Sequence, residues 1–364
     1  MDDLKYQIAL SMIPGIGCLT ARNLLAYFRC GEAVFKAPES VLQKVPGVGH
    51  VLSANIKNSD VLNKAEREIE FVNKYNIDIF SINSDHYPKK LKQCIDAPLI
   101  LFSKGNISFD TCRMVGIVGT RNATDKGRKF CSSMIEVMAL RGNYCVVSGL
   151  AYGIDVAAHR ACLQYGVPTI GVLGHGLDRI YPGEHRSIAE KMLKNGGLVS
   201  DFPSGTEIIR GNFIQRNRII AGLIDALVVV ESANKGGALV TADLANSYDR
   251  DVFAVPGKPD DQYSRGCNRL IKNNQAALIE CLDDLEYFMS WQPDDKPVVS
   301  QPRLFTDLSD IQQIIVDSIG VNSLSVDEIC EKTGISISQL SSVLLELEFK
   351  DVIVALPGRR YRIA

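Results

Sequence analysis

The chain has 364 residues, of which 46% are hydrophobic and 23% are charged, so it is long enough for two or three globular domains. No stretch reaches the roughly 18 apolar residues that a membrane span requires, and the acidic start at Asp2 and Asp3 is unlike a secretory leader, which predicts a cytoplasmic protein. The 40 basic and 42 acidic side chains nearly cancel, which argues against coating nucleic acid through bulk charge. The 10 cysteines include no C-x-x-C pair, which predicts reduced thiols and not disulfides or zinc sites.

Two short glycine-containing turns stand out near the start of the chain. Residues 13–17 read IPGIG and residues 45–49 read VPGVG, and each precedes a helical pattern. The repeat is typical of a helix-hairpin-helix or SAM-like domain, in which backbone N–H groups at a helix start face a phosphate. Because few basic side chains flank either turn, we favour the alternative, tight turns between packed helices. Both interpretations predict a small helical domain over residues 1–70.

Short apolar runs alternate with helical patterns over residues 71–290. The runs lie at residues 78–82, 98–102, 114–118, 144–147, 169–173, 197–200, 226–230, 252–255 and 277–279. This alternation predicts a parallel sheet covered on both faces, as in a Rossmann-like α/β domain. Ligands of such a sheet bind beyond the carboxyl ends of its strands, so the segments that follow the strands form the candidate site.

The periodic pattern breaks at residues 291–304, where Pro, Asp and Gln predict a linker. Residues 305–364 then predict three short helices and two strands around a Pro-Gly turn, which is the pattern of a winged helix. A transcription factor that reads duplex DNA is therefore one alternative function. The third of these helices carries Glu346 and Glu348, which would repel phosphates, so contact with a protein suits it better.

Two turns of the α/β region carry polar groups directly after a strand. Gly119 allows close backbone approach, and Arg121 offers a forked donor for a phosphate. Residues 148–155 read SGLAYGID, and we expect Asp155 to cap the helix that follows. Asp155 and His159 are one helical turn apart, as metal ligands would be, but no third ligand has a suitable spacing, so we predict no metal.

The most informative segment is residues 210–222, RGNFIQRNRIIAG. Its apolar tail predicts a helix from about Arg216, so that arginines stand at the positive end of the helix dipole, where an anion would compensate them. Phe213 adds an aromatic face beside them, and this combination suits a phosphate chain with a stacked base. The alternative is that the arginines pair with acidic residues elsewhere and that Phe213 is a core residue.

A fourth segment places Lys235 before the pair Gly236 and Gly237 at a predicted helix start, where N–H groups can face a phosphate. An ordinary strand-to-helix connection explains it equally well. The sequence contains no P-loop, nucleophile elbow, H-E-x-x-H motif or closely spaced carboxylate pair, so we predict a binding protein and not an enzyme. The rival hypothesis is a Rossmann-like hydrolase that cleaves nucleoside monophosphates with Glu231.

Taken in order, these segments resemble the DprA/Smf family of DNA-processing proteins. The matching stretches are residues 117–121, 148–151, 153–155 with His159, 172–174, 181–182, 216–222, 254–257 and 268–271. The helical start and the winged helix agree with the three-part layout of that family. Two short departures, at residues 122–126 and 234–237, remove no hydrogen-bond donor.

The resemblance implies both a function and a site. Members of the family bind single-stranded DNA without sequence preference, protect incoming strands and load RecA onto them in natural transformation and recombination. They act as homodimers, and the resemblance implies no cofactor, metal or catalytic residue. The implied DNA-binding residues are Gly119, Arg121, Ser148, Gly149, Arg210, Phe213, Arg216, Asn217, Arg218, Gly237 and Thr241.

Overall fold

The computed structural model describes residues 2–58, 60–109, 112–291, 308–319, 324–350, 352–356 and 360–363. The chain divides into two compact units, Met1–Lys296 and Pro297–Ala364. Apart from Trp291, the predicted linker lies outside the described residues. Within the described ranges, no helix combines the length and the apolar character needed to cross a membrane.

The first unit begins with a group of helices. They are α1 (Asp2–Ser11), α2 (Cys18–Phe28), α3 (Gly31–Lys36), α4 (Glu39–Leu42), α5 (His50–Asn58) and α6 (Val61–Tyr75). The two glycine turns precede α2 and α5, and their apolar residues Ile13, Ile16, Val45 and Val48 are buried in the core. This packing agrees with the small helical domain that both interpretations of the turns predicted.

A mixed sheet of nine described strands forms the centre of this unit. In chain order they are β1 (Asp78–Ser81), β2 (Ile100–Asn106), β3 (Arg113–Val118), β4 (Tyr144–Ser148), β5 (Thr169–Val172), β6 (Gly196–Ser200), β7 (Ala226–Val229), β8 (Asp251–Ala254) and β9 (Ala277–Leu278). The order across the sheet is β1-β2-β6-β5-β4-β3-β7-β8-β9. In this order, every neighbouring pair between β6 and β9 is parallel. The pairs β1 with β2 and β2 with β6 are antiparallel.

The antiparallel edge departs from the purely parallel sheet that we expected. Strands β1 and β2 are separated by residues 82–99, which contain only the short helix α7 (Lys89–Lys92), and antiparallel neighbours need no crossover helix. The remaining helices are α8 (Asp125–Arg141), α9 (Ile154–Tyr165), α10 (Arg186–Met192), α11 (Arg210–Leu223), α12 (Gly237–Ser247), α13 (Arg265–Lys272) and α14 (Leu282–Phe288). A short 3₁₀ turn spans Gly183–His185.

Alternate residues of the central strands enter two hydrophobic clusters on opposite faces of the sheet. On β3, Met114 and Val118 join the cluster that also contains the N-terminal helices, whereas Val115 and Ile117 join the cluster beneath α8 and α9. The N-terminal helices thus share a core with one face of the sheet. The prediction of a Rossmann-like domain flanked by a small helical domain is confirmed.

The second unit contains α15 (Asp310–Ile319), β10 (Leu324–Ser325), α16 (Val326–Thr333), α17 (Ile337–Phe349), β11 (Ile353–Leu356) and β12 (Arg360–Ile363). Its three strands pair antiparallel in the order β10-β12-β11. Ser325 caps α16 by accepting from the N–H of Glu328, whose side chain accepts in return from the N–H of Ser325. Three helices and a small sheet confirm the predicted winged helix, although its Pro-Gly turn lies outside the described residues.

Candidate functional site

A cavity of about 810 Å³ lies beyond the carboxyl ends of β3, β4 and β7. Strand order reverses here, since β4 to β6 lie on one side of β3 and β7 to β9 on the other. Ligands of open α/β sheets bind at such a reversal. The predicted site residues that line the cavity are Gly119, Arg121, Arg210, Phe213, Arg216, Asn217, Gly237 and Thr241.

The cavity is cationic. Arg121, Arg210 and Lys235 are exposed, and none of them forms an ion pair with a described residue. Together with the buried Arg216 they face a single lining carboxylate among the described residues, Asp155. Three positive side chains are therefore available to an anion that enters the cavity.

Helix α11 begins earlier than we expected. Its first residue is Arg210 and not Arg216, so Arg210 is the arginine at the positive end of the dipole. Phe213 follows within the first turn, is half-buried, and lies 5.8 Å from the ring of Tyr181, centroid to centroid, with 45° between the planes. Gly174 makes room for the phenyl ring, because a Cβ there would lie 3.0 Å from its Cδ1.

Arg216 forms the floor of the cavity. It is only 4% exposed, and its Nη1 donates to the carbonyl oxygens of Gly149, at 2.7 Å, and Val172. Its Nε has no hydrogen-bond partner among the described residues. Burial lowers the pKa of Arg216 to about 10, while Asp155 opposes this change. The side chain remains protonated at neutral pH and combines a structural role with a donor that is still unpaired.

Asp155 does not cap its helix, contrary to our prediction. The cap of α9 is Gly153, and Asp155 lies in the first turn, where its Oδ2 accepts from the N–H of Gly149 at 3.1 Å. Burial raises the pKa of Asp155, and nearby Arg216 acts against this. Asp155 and Arg216 thus hold the same Gly149 peptide region from its donor and its acceptor side.

Three of the predicted residues do not line the cavity. Ser148 is fully buried and donates to the carbonyl of Ile117 at 2.6 Å, and Gly149 lies behind Arg216. Arg218 donates to Asp201 and to the carbonyl of Asp96, on the other side of α11. Arg218 thus pairs with an acidic residue, as the alternative interpretation expected of the arginines.

Two residues shape the start of α12. The side chain of Asn217 lies 3.4 Å from the carbonyl oxygen of Gly237 and donates to it, which ties α11 to α12. The hydroxyl of Thr241 donates to the same carbonyl at 3.0 Å. Gly237 is exposed at the first position of α12, so its N–H stands at the positive end of that helix.

Sequence reasoning missed Asn122, Gln262 and Tyr263, which also line the cavity. Nδ2 of Asn122 donates to the hydroxyl of Tyr263 at 3.2 Å, so the loop after β8 closes against the turn after β3. The loop after β8 also follows the carboxyl end of a strand, and this position is the signal in the sequence that points to Gln262 and Tyr263.

Glu231, the residue of the rival hydrolase hypothesis, is occupied elsewhere. Its carboxylate accepts from both the backbone N–H and the hydroxyl of Thr124, the residue that caps α8, and it is not among the cavity-lining residues. A Cβ on Gly127 would collide with this carboxylate. Glu231 therefore supports, from behind the cavity, the turn that carries Gly119 and Arg121.

His159 is a core residue. It is fully buried, its Nδ1 lies 2.7 Å from the hydroxyl of Thr169, and burial lowers its pKa to about 3, with smaller contributions from His185 and Arg216. Across the described ranges, no group of three His, Cys, Asp or Glu side chains could hold a metal ion.

Comparison with known proteins identifies the family. Residues 78–290 match the family model described as DNA recombination-mediator protein A, and residues 300–359 match the DprA winged helix domain. The chain belongs to the DprA family. The resemblance that we drew from the sequence is confirmed.

Similar DprA and Smf proteins come from diverse bacteria. Protein Smf of Synechocystis is 32% identical over 395 aligned residues, which cover 99% of each chain. The DNA processing protein DprA of Streptococcus pneumoniae is 38% identical over 57% of this chain and 73% of its own. The two alignments show that the likeness extends over the whole chain in one relative and is higher over a shorter segment in another.

Two solved DprA structures are also similar. The X-ray structure of the S. pneumoniae protein aligns with a TM-score of 0.65 at 32% identity, over 78% of this chain and 97% of that one. The Helicobacter pylori protein, whose structure was described for its single-stranded DNA binding mode, aligns with a TM-score of 0.53 at 25% identity, over 59% and 96% of the two chains.

Proposed function

We propose that the cavity beyond β3, β4 and β7 binds single-stranded DNA without sequence preference. The observation that carries the proposal is that one cavity contains both an aromatic ring and cations that form no ion pair with a described residue. Arg121, Arg210 and Lys235 line this cavity together with Phe213. Cations hold the phosphates, and a ring accepts any base, because every base has a face that can stack.

The position of Phe213 favours a single strand over a duplex. Its ring is half-buried, so a base must leave its neighbours to reach it. In a duplex that step costs unpairing and unstacking energy, whereas in a single strand the base is already free. The H. pylori relative, whose structure was described for its single-stranded DNA binding, supports the same assignment.

We infer the biological role from the family. The protein protects incoming single-stranded DNA and loads RecA onto it in natural transformation and recombination, and it works as a homodimer in the cytoplasm without a catalytic step. The occupied carboxylate of Glu231 supports a binding role over nucleotide hydrolysis, since a catalytic carboxylate must reach the substrate.

A titration tests the proposal. Labelled single-stranded DNA of mixed sequence and its duplex of equal length are titrated with the full chain, and binding is followed by fluorescence anisotropy. We expect the single strand to bind at least tenfold more tightly, with similar affinities for unrelated sequences. Equal or tighter binding of the duplex would contradict the proposal.

A further inference from the structure

A second cavity of about 460 Å³ lies on the outer side of the Arg121 turn. It is a groove between two helices, with Arg128 and Ser132 one turn apart on α8, and Ala157, Arg160, Ala161 and Gln164 along one face of α9. Because the side chains of Ala157 and Ala161 are small, they leave the groove open between Arg128 on α8 and Arg160 on α9.

Tyr152 stands at one end of the groove. It is 41% exposed and lies in a T-shaped arrangement with His185, with 5.1 Å between the ring centroids. His185 is buried, and its Nδ1 lies 2.8 Å from the carbonyl oxygen of Leu150. Phe213 in the first cavity likewise lies beside a second aromatic ring, that of Tyr181, although Phe213 is half-buried.

The charges of the groove favour an anion. Arg160 is exposed and forms no ion pair with any described residue. Arg128 contributes a second guanidinium, which is shared with Asp125 at 2.7 Å. Glu184 is the opposing carboxylate among the described lining residues. With Arg121, three guanidinium groups face this groove. Glu184 and Asp125 neutralise at most two of these three positive charges.

The two cavities share one wall. Arg121 and Asn122 line both, so a chain that leaves the first cavity over this turn enters the groove directly. Phosphates and bases alternate along a strand, and in both cavities unpaired arginines stand near an accessible aromatic ring. A second site of the same chemistry, reached across a common arginine, fits the continuation of one ligand.

We propose that the bound single strand continues over the Arg121 turn into the groove between α8 and α9, where Tyr152 stacks a base and Arg160 contacts a phosphate. This inference rests on the proposed function of the first cavity. It assigns to this chain a longer DNA track than the first cavity provides, and it assigns roles to two residues that the sequence analysis did not include in the site.

The experiment compares oligothymidylates of about 5 and about 20 nucleotides, lengths that bracket a typical single-strand site. The shorter strand fills the first cavity alone, and the longer strand fills both. Tyr152→Ala should bind the longer strand about five- to 150-fold more weakly, the worth of one stacked base, and should bind the shorter strand as the parent does. Tyr152→Phe keeps the ring and should retain the parent affinity for both.

Arg160→Ala should also weaken binding of the longer strand alone. The slope of log affinity against log salt concentration for that strand should become less steep by about 0.7. Arg67→Ala is the matched control, because it removes another exposed arginine, one that lines neither cavity. Circular dichroism establishes that each variant is folded.

Phe213→Ala separates the two proposals. If it weakens both strands while Tyr152→Ala and Arg160→Ala bind the longer strand as tightly as the parent, the groove is not part of the track and the first cavity stands. If Phe213→Ala binds both strands as the parent does, the proposed function itself fails. If the two groove variants lose affinity for both strands equally, they act on the first cavity and the proposed continuation is wrong.

Discussion

Nη1 of Arg216 donates to the carbonyl oxygen of Gly149 at 2.7 Å, and this bond joins α11 to the turn that follows β4. The same turn is held from its other side by Asp155, which accepts from the N–H of Gly149. The cavity floor is therefore a charged side chain that donates to the backbone of a turn, and a carboxylate holds that same turn. Its shape depends on a residue without a side chain at position 149.

Gly149→Ala should destabilise the protein. A methyl group there would collide with the guanidinium of Arg216, which is buried and held by hydrogen bonds to the carbonyl oxygens of Gly149 and Val172, and overpacking of this kind costs about 1–3 kcal/mol. Urea denaturation measures the loss. Gly211→Ala is the control, because nothing lies within 4 Å of the added methyl group in α11, and it should leave stability unchanged or raise it. Equal stabilities of the two variants would contradict the assigned packing.

Arg218→Ala should destabilise the protein by about 3–5 kcal/mol, because it leaves the buried carboxylate of Asp201 without its partner. Arg210→Ala removes an exposed arginine of the same helix and should change stability by less than about 0.5 kcal/mol. Thermal or urea denaturation compares the two. The double variant Arg218→Ala with Asp201→Ala should recover part of the loss, and additive losses would show that the two residues do not act as a pair.

Phe213→Ala should weaken binding of single-stranded DNA by about 1–3 kcal/mol, the usual worth of one stacked base, and leave the salt dependence nearly unchanged. Anisotropy titrations at several salt concentrations measure both quantities. Phe213→Tyr retains a ring and should bind nearly as the parent does. A folded Phe213→Ala variant with the parent affinity would place the ring among ordinary core residues.

Arg210→Ala should weaken binding in a different way. For a single strand, removing one phosphate contact should make the slope of log affinity against log salt concentration less steep by about 0.7. Arg210→Lys keeps the charge and should restore most of the slope. Arg210→Ala should therefore change the salt dependence of binding, whereas Phe213→Ala should not. An unchanged slope in Arg210→Ala would show that this arginine does not contact a phosphate.

His159 should make the protein less stable in mild acid. Its pKa is lowered from 6.5 to about 3, so between these values the unfolded chain binds a proton that the folded chain excludes. The contribution of neutral His159 to the free energy of unfolding is therefore fully present above pH 6.5. As the pH falls from 6.5 towards 3, the free energy of unfolding decreases by about 1.4 kcal/mol per pH unit.

The measurement is urea denaturation at pH 7 and pH 5 for the parent and for His159→Gln. Burial raises the pKa of Asp155 and Asp201, which acts in the opposite direction in acid, but both carboxyl groups are present in the two proteins. The parent should lose more stability than His159→Gln between the two pH values. Equal losses would mean that the imidazole takes up its proton in the folded state.

The sequence by itself determined much of this molecule. Alternation of apolar strands with helices identified the α/β sheet, because a strand covered on both faces must be apolar throughout. The rule that ligands bind at the carboxyl ends of strands led to Gly119, Arg121, Phe213 and Gly237, and all four line the first cavity. These inferences needed only local patterns, since each residue follows its own strand or begins its own helix.

The tertiary structure alone decided which arginine faces which way. Arg216 and Arg218 are two positions apart on α11, and successive helical residues turn by about 100°, so their side chains leave on nearly opposite sides. The residues next to Arg216 and Arg218 in the sequence do not distinguish the two arginines, and no local pattern indicates that Asp201 is a partner of one of them. That partner lies after β6 and comes within reach only once the sheet has formed, so the same residue type braces the cavity at position 216 and forms a buried ion pair at position 218.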